Sequence, residues 1–197
     1  MPTLDVFFEF ASTYSYPATS RVEALCAEAG IAMRWRPFLL GPIFRDQGWN
    51  DSPFNVYPVK GQYMWRDMER ICGKLDLPLQ RPSQFPRNGL LAARVACAVA
   101  AEPWCGDFVR AMYRANFAED RDIARPEVVG AVLEALGQKS EPILERAGTQ
   151  ETKDRLRLET DEAVRLGVFG APSFVVDGEL FWGNDRLEDA LAWARRC

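Results

Sequence analysis

The chain contains no histidine. That one absence removes Ser-His-Asp and Cys-His nucleophilic catalysis. It also removes zinc sites with a histidine ligand, the two-histidine iron site and imidazole acid–base chemistry, and no metal site is expected. Cysteine is sparse and poorly spaced for redox work. Cys26, Cys72, Cys97, Cys105 and Cys197 are odd in number, and no two stand at C-x-x-C spacing. They read as reduced thiols, several of them packed in a core. Basic charge is in deficit: 24 Lys and Arg face 28 Asp and Glu, a formal charge of −4. A dedicated nucleic-acid binder needs the opposite balance, so no nucleic-acid partner is expected. Long apolar runs are missing. The most apolar window, Leu90 to Ala101, carries Arg94 and is too short to span a bilayer, so no membrane association is expected. Asp5 and Glu9 interrupt the first apolar stretch with no basic region before it. No secretory leader is read there, and a cytoplasmic location is expected.

What remains is ordinary globular composition, 48% hydrophobic and 26% charged over 197 residues. That length suits one domain, or one domain with a large insertion. It buries roughly 70% of the unfolded surface, enough for a core without disulfides. Neither an internal repeat nor a low-complexity tract is present.

Three textures follow one another. Leu4, Val6, Phe8 and Phe10 alternate with their neighbours and predict a buried strand. Val22, Leu25, Cys26 and Ala29 fall at helical spacing, with Pro17 in a first turn and Gly30 as the stop. Ile31, Met33 and Trp35 alternate again, so the opening reads β-α-β with a parallel pair. The middle is helical: Met64 to Leu75, Leu90 to Ala101, a helix about Phe108 to Tyr113, and one from Pro126 to Gly137. The stretch Gly41 to Lys60, rich in Pro and Gly, reads as loop. A charged helix then ends near Leu166. Phe174 to Val176, the Asp177-Gly178 turn and Leu180 to Trp182 form a hairpin, and a last helix opens at Gly183 to Asp185. Asp185 and Glu188 stand at capping-box spacing. Neither end closes a sheet alone. Together they predict an α/β fold, a thioredoxin-like four-stranded mixed sheet with a large all-helical insertion. Residues 1–38 and 151–197 would be the thioredoxin-like domain and 39–150 the insertion.

Chemistry-bearing residues lie in four places. Ser12-Thr13-Tyr14-Ser15 occupies the strand-to-helix junction where a thioredoxin-like redox enzyme carries C-x-x-C. Serine in both cysteine positions excludes dithiol exchange. A hydroxyl there suits an anion or a bound thiol, since helix N-termini favour negative charge, but it also suits a plain N-cap. Ala171-Pro172 would face that serine, either pairing its backbone with an extended peptide or only setting a turn. Asn184 and Asp185 at the last helix suit an amino-acid zwitterion or ordinary capping. Lys60 either meets a carboxylate or is a solvated lysine. Trp49, Phe54 and Tyr63 either line an apolar substrate pocket or are core.

Four blocks carry a resemblance. They are Phe8-Glu9-Phe10-Ala11-Ser12-Thr13-Tyr14-Ser15-Tyr16, Lys60-Gly61-Gln62-Tyr63-Met64, Gly167-Val168-Phe169-Gly170-Ala171-Pro172 and Trp182-Gly183-Asn184-Asp185-Arg186. With them the whole chain resembles the 2-hydroxychromene-2-carboxylate isomerase family, which is related to kappa-class glutathione transferases and, further off, to DsbA-type oxidoreductases. The resemblance implies glutathione as cofactor, with Ser12 at its sulfur and the residue after it changed from proline to Thr13. It implies Ala171 with Pro172 at the cysteinyl part, Asn184 and Asp185 at the γ-glutamyl part, Lys60 at the glycine end, and Asn55 or Asn50 in the loop. The implied reaction interconverts 2-hydroxychromene-2-carboxylate, or a similar aromatic substrate, and trans-o-hydroxybenzylidenepyruvate by reversible thiolate addition. It belongs to aromatic-compound catabolism, in a homodimer. Two alternatives stand beside it: a kappa-like glutathione S-transferase, and a non-catalytic thioredoxin-like binding protein.

Overall fold

Strand β1 (Thr3–Phe8) and helix α1 (Ser15–Ala29) lead to β2 (Ala32–Pro37) in the computed structural model, which describes residues 3–196. β1 and β2 are parallel, as the length of the crossover demands. Helix α1 ends on Gly30 in the left-handed conformation, φ 65°, which turns the chain back toward the sheet. Six helices follow: α2 (Leu40–Asp46), α3 (Pro53–Val56), α4 (Pro58–Lys74), α5 (Leu90–Ala98), α6 (Cys105–Phe117) and α7 (Pro126–Ala135). Helices α8 (Ser140–Gly148) and α9 (Gln150–Arg165) lead back to the sheet. The chain closes with β3 (Ser173–Val176), β4 (Glu179–Trp182) and α10 (Leu187–Ala194).

The sheet order is β2-β1-β3-β4, with β3 antiparallel to both its neighbours. Leu4, Val6, Phe174 and Val176 bury one face under α1 and α10. Phe7 and Val175 bury the other against Ala163 of α9, Val168, Phe38 and Ile43. The largest core runs from Phe8, Phe10 and Tyr16 into Met64, Met68, Phe108, Met112, Phe117 and Leu133 of the helices. Each fully buried Phe there contributes roughly 1.5–3 kcal/mol relative to an exposed one. Register decides where function sits. Phe7 pairs with Ser173, and Ser173 pairs with Trp182. The end of β1, the start of β3 and the end of β4 therefore share one edge of the sheet, and the segments beyond them emerge together.

Several expectations need correction. The stretch Gly41 to Lys60 is not a loop: it holds α2, α3 and the first turn of α4, so Lys60 is helical. Pro53 and Pro58 open α3 and α4 at positions where a missing N–H costs nothing, and the Ser52 hydroxyl caps α3 through Phe54 N–H. The first strand stops at Phe8, before Phe10, and α8 is a further helix. No capping box forms at Asp185. Residues 184–186 make a 3₁₀ turn, α10 starts only at Leu187, and Glu188 pairs instead with Arg21. Cys26, Cys72, Cys97 and Cys105 are buried and free, while Cys197 lies outside the described residues. Burial pushes the first two thiols up to about 11 and the other two to about 12, so they are inert as nucleophiles. Among the described residues no helix is long and apolar enough to cross a membrane.

Candidate functional site

The turn after β1 is built to hold Ser12 in one place. Ser12 N–H donates to the Glu9 carbonyl at 2.9 Å. Ala11 N–H donates to Oε2 of Glu9, also at 2.9 Å. Two buried side chains of α6 reach the same turn: Tyr113 Oη donates to the Glu9 carbonyl at 2.7 Å, and Asn116 Nδ2 to the Phe10 carbonyl at 3.1 Å. Helix α4 holds the other side. Thr13 Oγ1 contacts Met64 Sδ at 3.0 Å, and Tyr14 Oη donates to Asp67 Oδ2 at 3.0 Å. Thr13, standing where a proline was the alternative, is thus anchored by its own hydroxyl.

Ser12 does not cap α1, and neither does Ser15. The N-cap is Tyr14, which makes no side-chain cap bond, and Ser15 is already helical. The Ser12 hydroxyl instead crosses 159 positions of sequence and donates to the Ala171 carbonyl at 2.8 Å. The peptide bond to Pro172 is cis. One residue on, the Pro172 carbonyl accepts Gly183 N–H at 3.0 Å, which ties the start of the Asn184–Arg186 turn to the same point. Gly183 has φ 114°, a conformation open to glycine and costly for other residues. Three of the four sequence blocks are thereby stitched together by hydrogen bonds.

The fourth block closes one side of this edge. A Cβ on Gly61 would run into the Phe54 carbonyl, so only glycine lets α3 fold down onto α4. That places the Phe54 ring 6.2 Å from Tyr14, with the Lys60 ammonium 5.7 Å from the Phe54 ring. Tyr63 is exposed beside them. Burial, then the Asp67 carboxylate, and more weakly Tyr63 and Asp185, push the Tyr14 hydroxyl well above the ordinary phenol range. Tyr14, Phe54, Lys60, Tyr63, Asp67 and Asp185 therefore form one neighbourhood at the mouth of the Ser12 turn.

Other candidates are placed differently. Asn55 spends both amide hydrogens on Asp51 Oδ2, at 3.0 Å, and on the Phe85 carbonyl, at 3.2 Å, leaving only its oxygen to a ligand. Asn184 is buried, and its carbonyl and Oδ1 accept from Arg21. Asp185 is exposed, 3.5 Å from Arg186. Trp49 packs on Phe44 in the α2–α3 connection. Glu9, Asn116, Tyr113 and Asp67 belong to the site's surroundings without any motif that marks them in the sequence. For Glu9 the available signal was a carboxylate at the end of a buried strand. For Tyr113 and Asn116 it was two polar groups at i, i+3 among apolar neighbours. Loss of water around the Glu9 carboxyl pushes its pKa up to about 7, against the lowering pull of the Ala11 and Ser12 N–H groups. Among the described residues no three potential metal ligands come together.

The model of the DSBA-like thioredoxin domain matches residues 3–192. Human glutathione S-transferase kappa 1 is 30% identical, over 94% of this chain and 88% of its own. The 2-hydroxychromene-2-carboxylate isomerase of Sphingobium xenophagum is 29% identical, over 94% of both chains. Among solved structures, a 2-hydroxychromene-2-carboxylate isomerase superposes with a TM-score of 0.88 at 24% identity, over 98% of this chain and 95% of the other. The cytosolic disulfide reductase DsbM of Pseudomonas aeruginosa, solved with GSH, superposes at 0.69 and 16% identity over 98% of each.

Proposed function

We propose that this chain, which belongs to the DSBA-like thioredoxin domain family and within it to the group of kappa-class glutathione transferases and 2-hydroxychromene-2-carboxylate isomerases, is an isomerase that uses glutathione as cofactor. Its substrate is 2-hydroxychromene-2-carboxylate or a similar aromatic compound, and its product trans-o-hydroxybenzylidenepyruvate. The observation that carries this reading is the 2.8 Å bond from Ser12 Oγ to the Ala171 carbonyl. It joins the one hydroxyl suited to a sulfur with the backbone suited to the residue bearing that sulfur.

The donor set fits the tripeptide. Ser12 supplies a hydroxyl proton for the sulfur, next to the N-terminus of α1, where unpaired N–H groups favour an anion. Ala171, beside Pro172, offers backbone N–H and C=O to an extended peptide, in the manner of strand addition. Lys60, with no carboxylate partner among the described residues, suits the glycine carboxylate. Asp185 suits the α-ammonium of the γ-glutamyl end, with the Asn184 turn beside it. When bound, glutathione supplies a sulfur nucleophile that adds to an electrophilic carbon and leaves again. The chain's own part is to hold that sulfur ionised at Ser12, orient the peptide at Ala171 and Pro172, and offer Tyr63, Phe54 and Trp49 to the aromatic substrate. Residues 1–38 and 151–197 would grip the tripeptide except at its glycine end, which Lys60 would hold, and the rest of 39–150 would carry the substrate side. A cytoplasmic homodimer serving aromatic catabolism completes the proposal.

A second reading, a kappa-like transferase that releases the adduct, is favoured by the 30% identity to the human protein. One assay separates them. Purified protein with glutathione and 2-hydroxychromene-2-carboxylate, followed by absorbance, is expected to turn over without consuming glutathione. Conjugation of a generic electrophile with no turnover of the chromene would favour the transferase. No calorimetric binding of glutathione at millimolar concentration would leave only a binding scaffold.

A further inference from the structure

The Ser12 turn contains a carboxylate that the reaction above does not use. Glu9 is partly buried, and no cation pairs with it among the described residues. Its Oε2 accepts Ala11 N–H, and the Ser12 N–H also points to it electrostatically. The carboxylate is thus hydrogen-bonded to the backbone of the residue immediately before Ser12. Its surroundings offer no compensating charge. Tyr113 of α6 is fully buried, and its hydroxyl stays protonated because burial and Glu9 itself hold it far above the ordinary range. Gly89 lies against Oε1 from the segment before α5. Arg87, two residues away, is turned to Asn116, Asp120 and the Arg121 carbonyl. Arg94 of α5 lines a separate cavity with Leu39, Leu90 and Lys153. Gly167 to Ala171 carry no ionisable side chain.

We propose that Glu9 and the thiol held at Ser12 titrate as one coupled pair, so that the site carries a single negative charge: when the S–H bond ionises, the Glu9 carboxylate takes up a proton, and when sulfur is reprotonated the carboxyl gives it back. Two anions on one short turn of a partly buried site do not both form readily, and their protons come off in joint steps. Glu9 acts here through the turn and through charge, as a tuning residue. The burial that raises it to about 7 puts its own proton equilibrium near neutral pH. This inference rests on glutathione binding at Ser12.

The test counts protons by calorimetry, with glutathione binding measured in buffers of different ionisation enthalpy. Glu9→Gln keeps an oxygen for Ala11 N–H but cannot ionise. At pH 7.5 the variant is expected to release about one proton per glutathione bound, and the wild type no more than about half as many. At pH 6, where Glu9 is already protonated, the two should agree. S-methylglutathione, which has no thiol proton, should show no difference between the proteins at either pH. Should the variant not fold, the wild type alone decides: its proton release must fall from pH 6 to pH 7.5, where that of an isolated thiol stays level or rises. Equal counts in both proteins, or a wild-type release that does not fall, overturns the coupling. Absence of binding in both overturns the glutathione reading instead.

Discussion

A serine hydroxyl has one proton to donate. In Ser12 it goes to the Ala171 carbonyl, an acceptor that an extended peptide would also seek. A bound sulfur anion is the stronger acceptor, and a charge-assisted hydrogen bond to it contributes about 1.5–3 kcal/mol. Ser12→Ala should therefore raise the pKa of the bound thiol by about 1–2 units and lower turnover at neutral pH by about ten- to a hundredfold. A pH titration of the ultraviolet thiolate absorbance checks the first figure. An unshifted titration would remove Ser12 from the sulfur. Ser12 was legible because a hydroxyl at a strand-to-helix junction in place of C-x-x-C has few uses. Whether it caps α1 was not legible, since only the long-range bond to Ala171 shows that it does not. Asn55 and Asn184 show the converse. Their residue types suited a ligand, but the structure engages their amides with Asp51, four residues away, and with Phe85 and Arg21, which are remote in sequence.

Helices α4 and α6 matter less for their own chemistry than for what they brace. Asn116 links two systems: its Nδ2 holds the Phe10 carbonyl, and its Oδ1 accepts from the buried Arg87, which also pairs with Asp120. Asn116→Ala leaves a buried carbonyl without a donor and removes one partner of a buried guanidinium. That costs about 1–3 kcal/mol, read as a lower urea midpoint with an unchanged slope. Because the Phe10 carbonyl lies in the Ser12 turn, the thiolate titration should shift upward as well. A variant that loses stability but titrates as wild type would make Asn116 merely structural. At this scale the sequence was informative where local rules act alone. Pro126 and Gly137 bound α7 and its turn, and Asp177-Gly178 makes the hairpin with φ 49° and 81°. It misled where prolines cluster. Pro53 and Pro58 begin helices, and reading them as loop hid α3 and the helical place of Lys60. Asp185 failed as a cap because a 3₁₀ turn intervenes before α10.

Across the molecule the site is a consequence of sheet register. One strand ends, another begins and a third ends at the same edge, so segments from positions 12, 171 and 184 meet without any long excursion. The helices then supply the fourth segment through the Gly61–Phe54 contact. The four-stranded mixed sheet was legible in advance, since two incomplete halves have few ways to combine. The joining of Phe8, Phe10 and Tyr16 to the helices in one core was not, because packing across such distances leaves no periodic trace. The most direct measurement is a crystal structure of the protein grown with glutathione. Sulfur within hydrogen-bonding distance of Ser12 Oγ, with the cysteinyl backbone paired to Ala171, is the predicted result. Sulfur bound away from Ser12, or no tripeptide at this edge of the sheet, would contradict it.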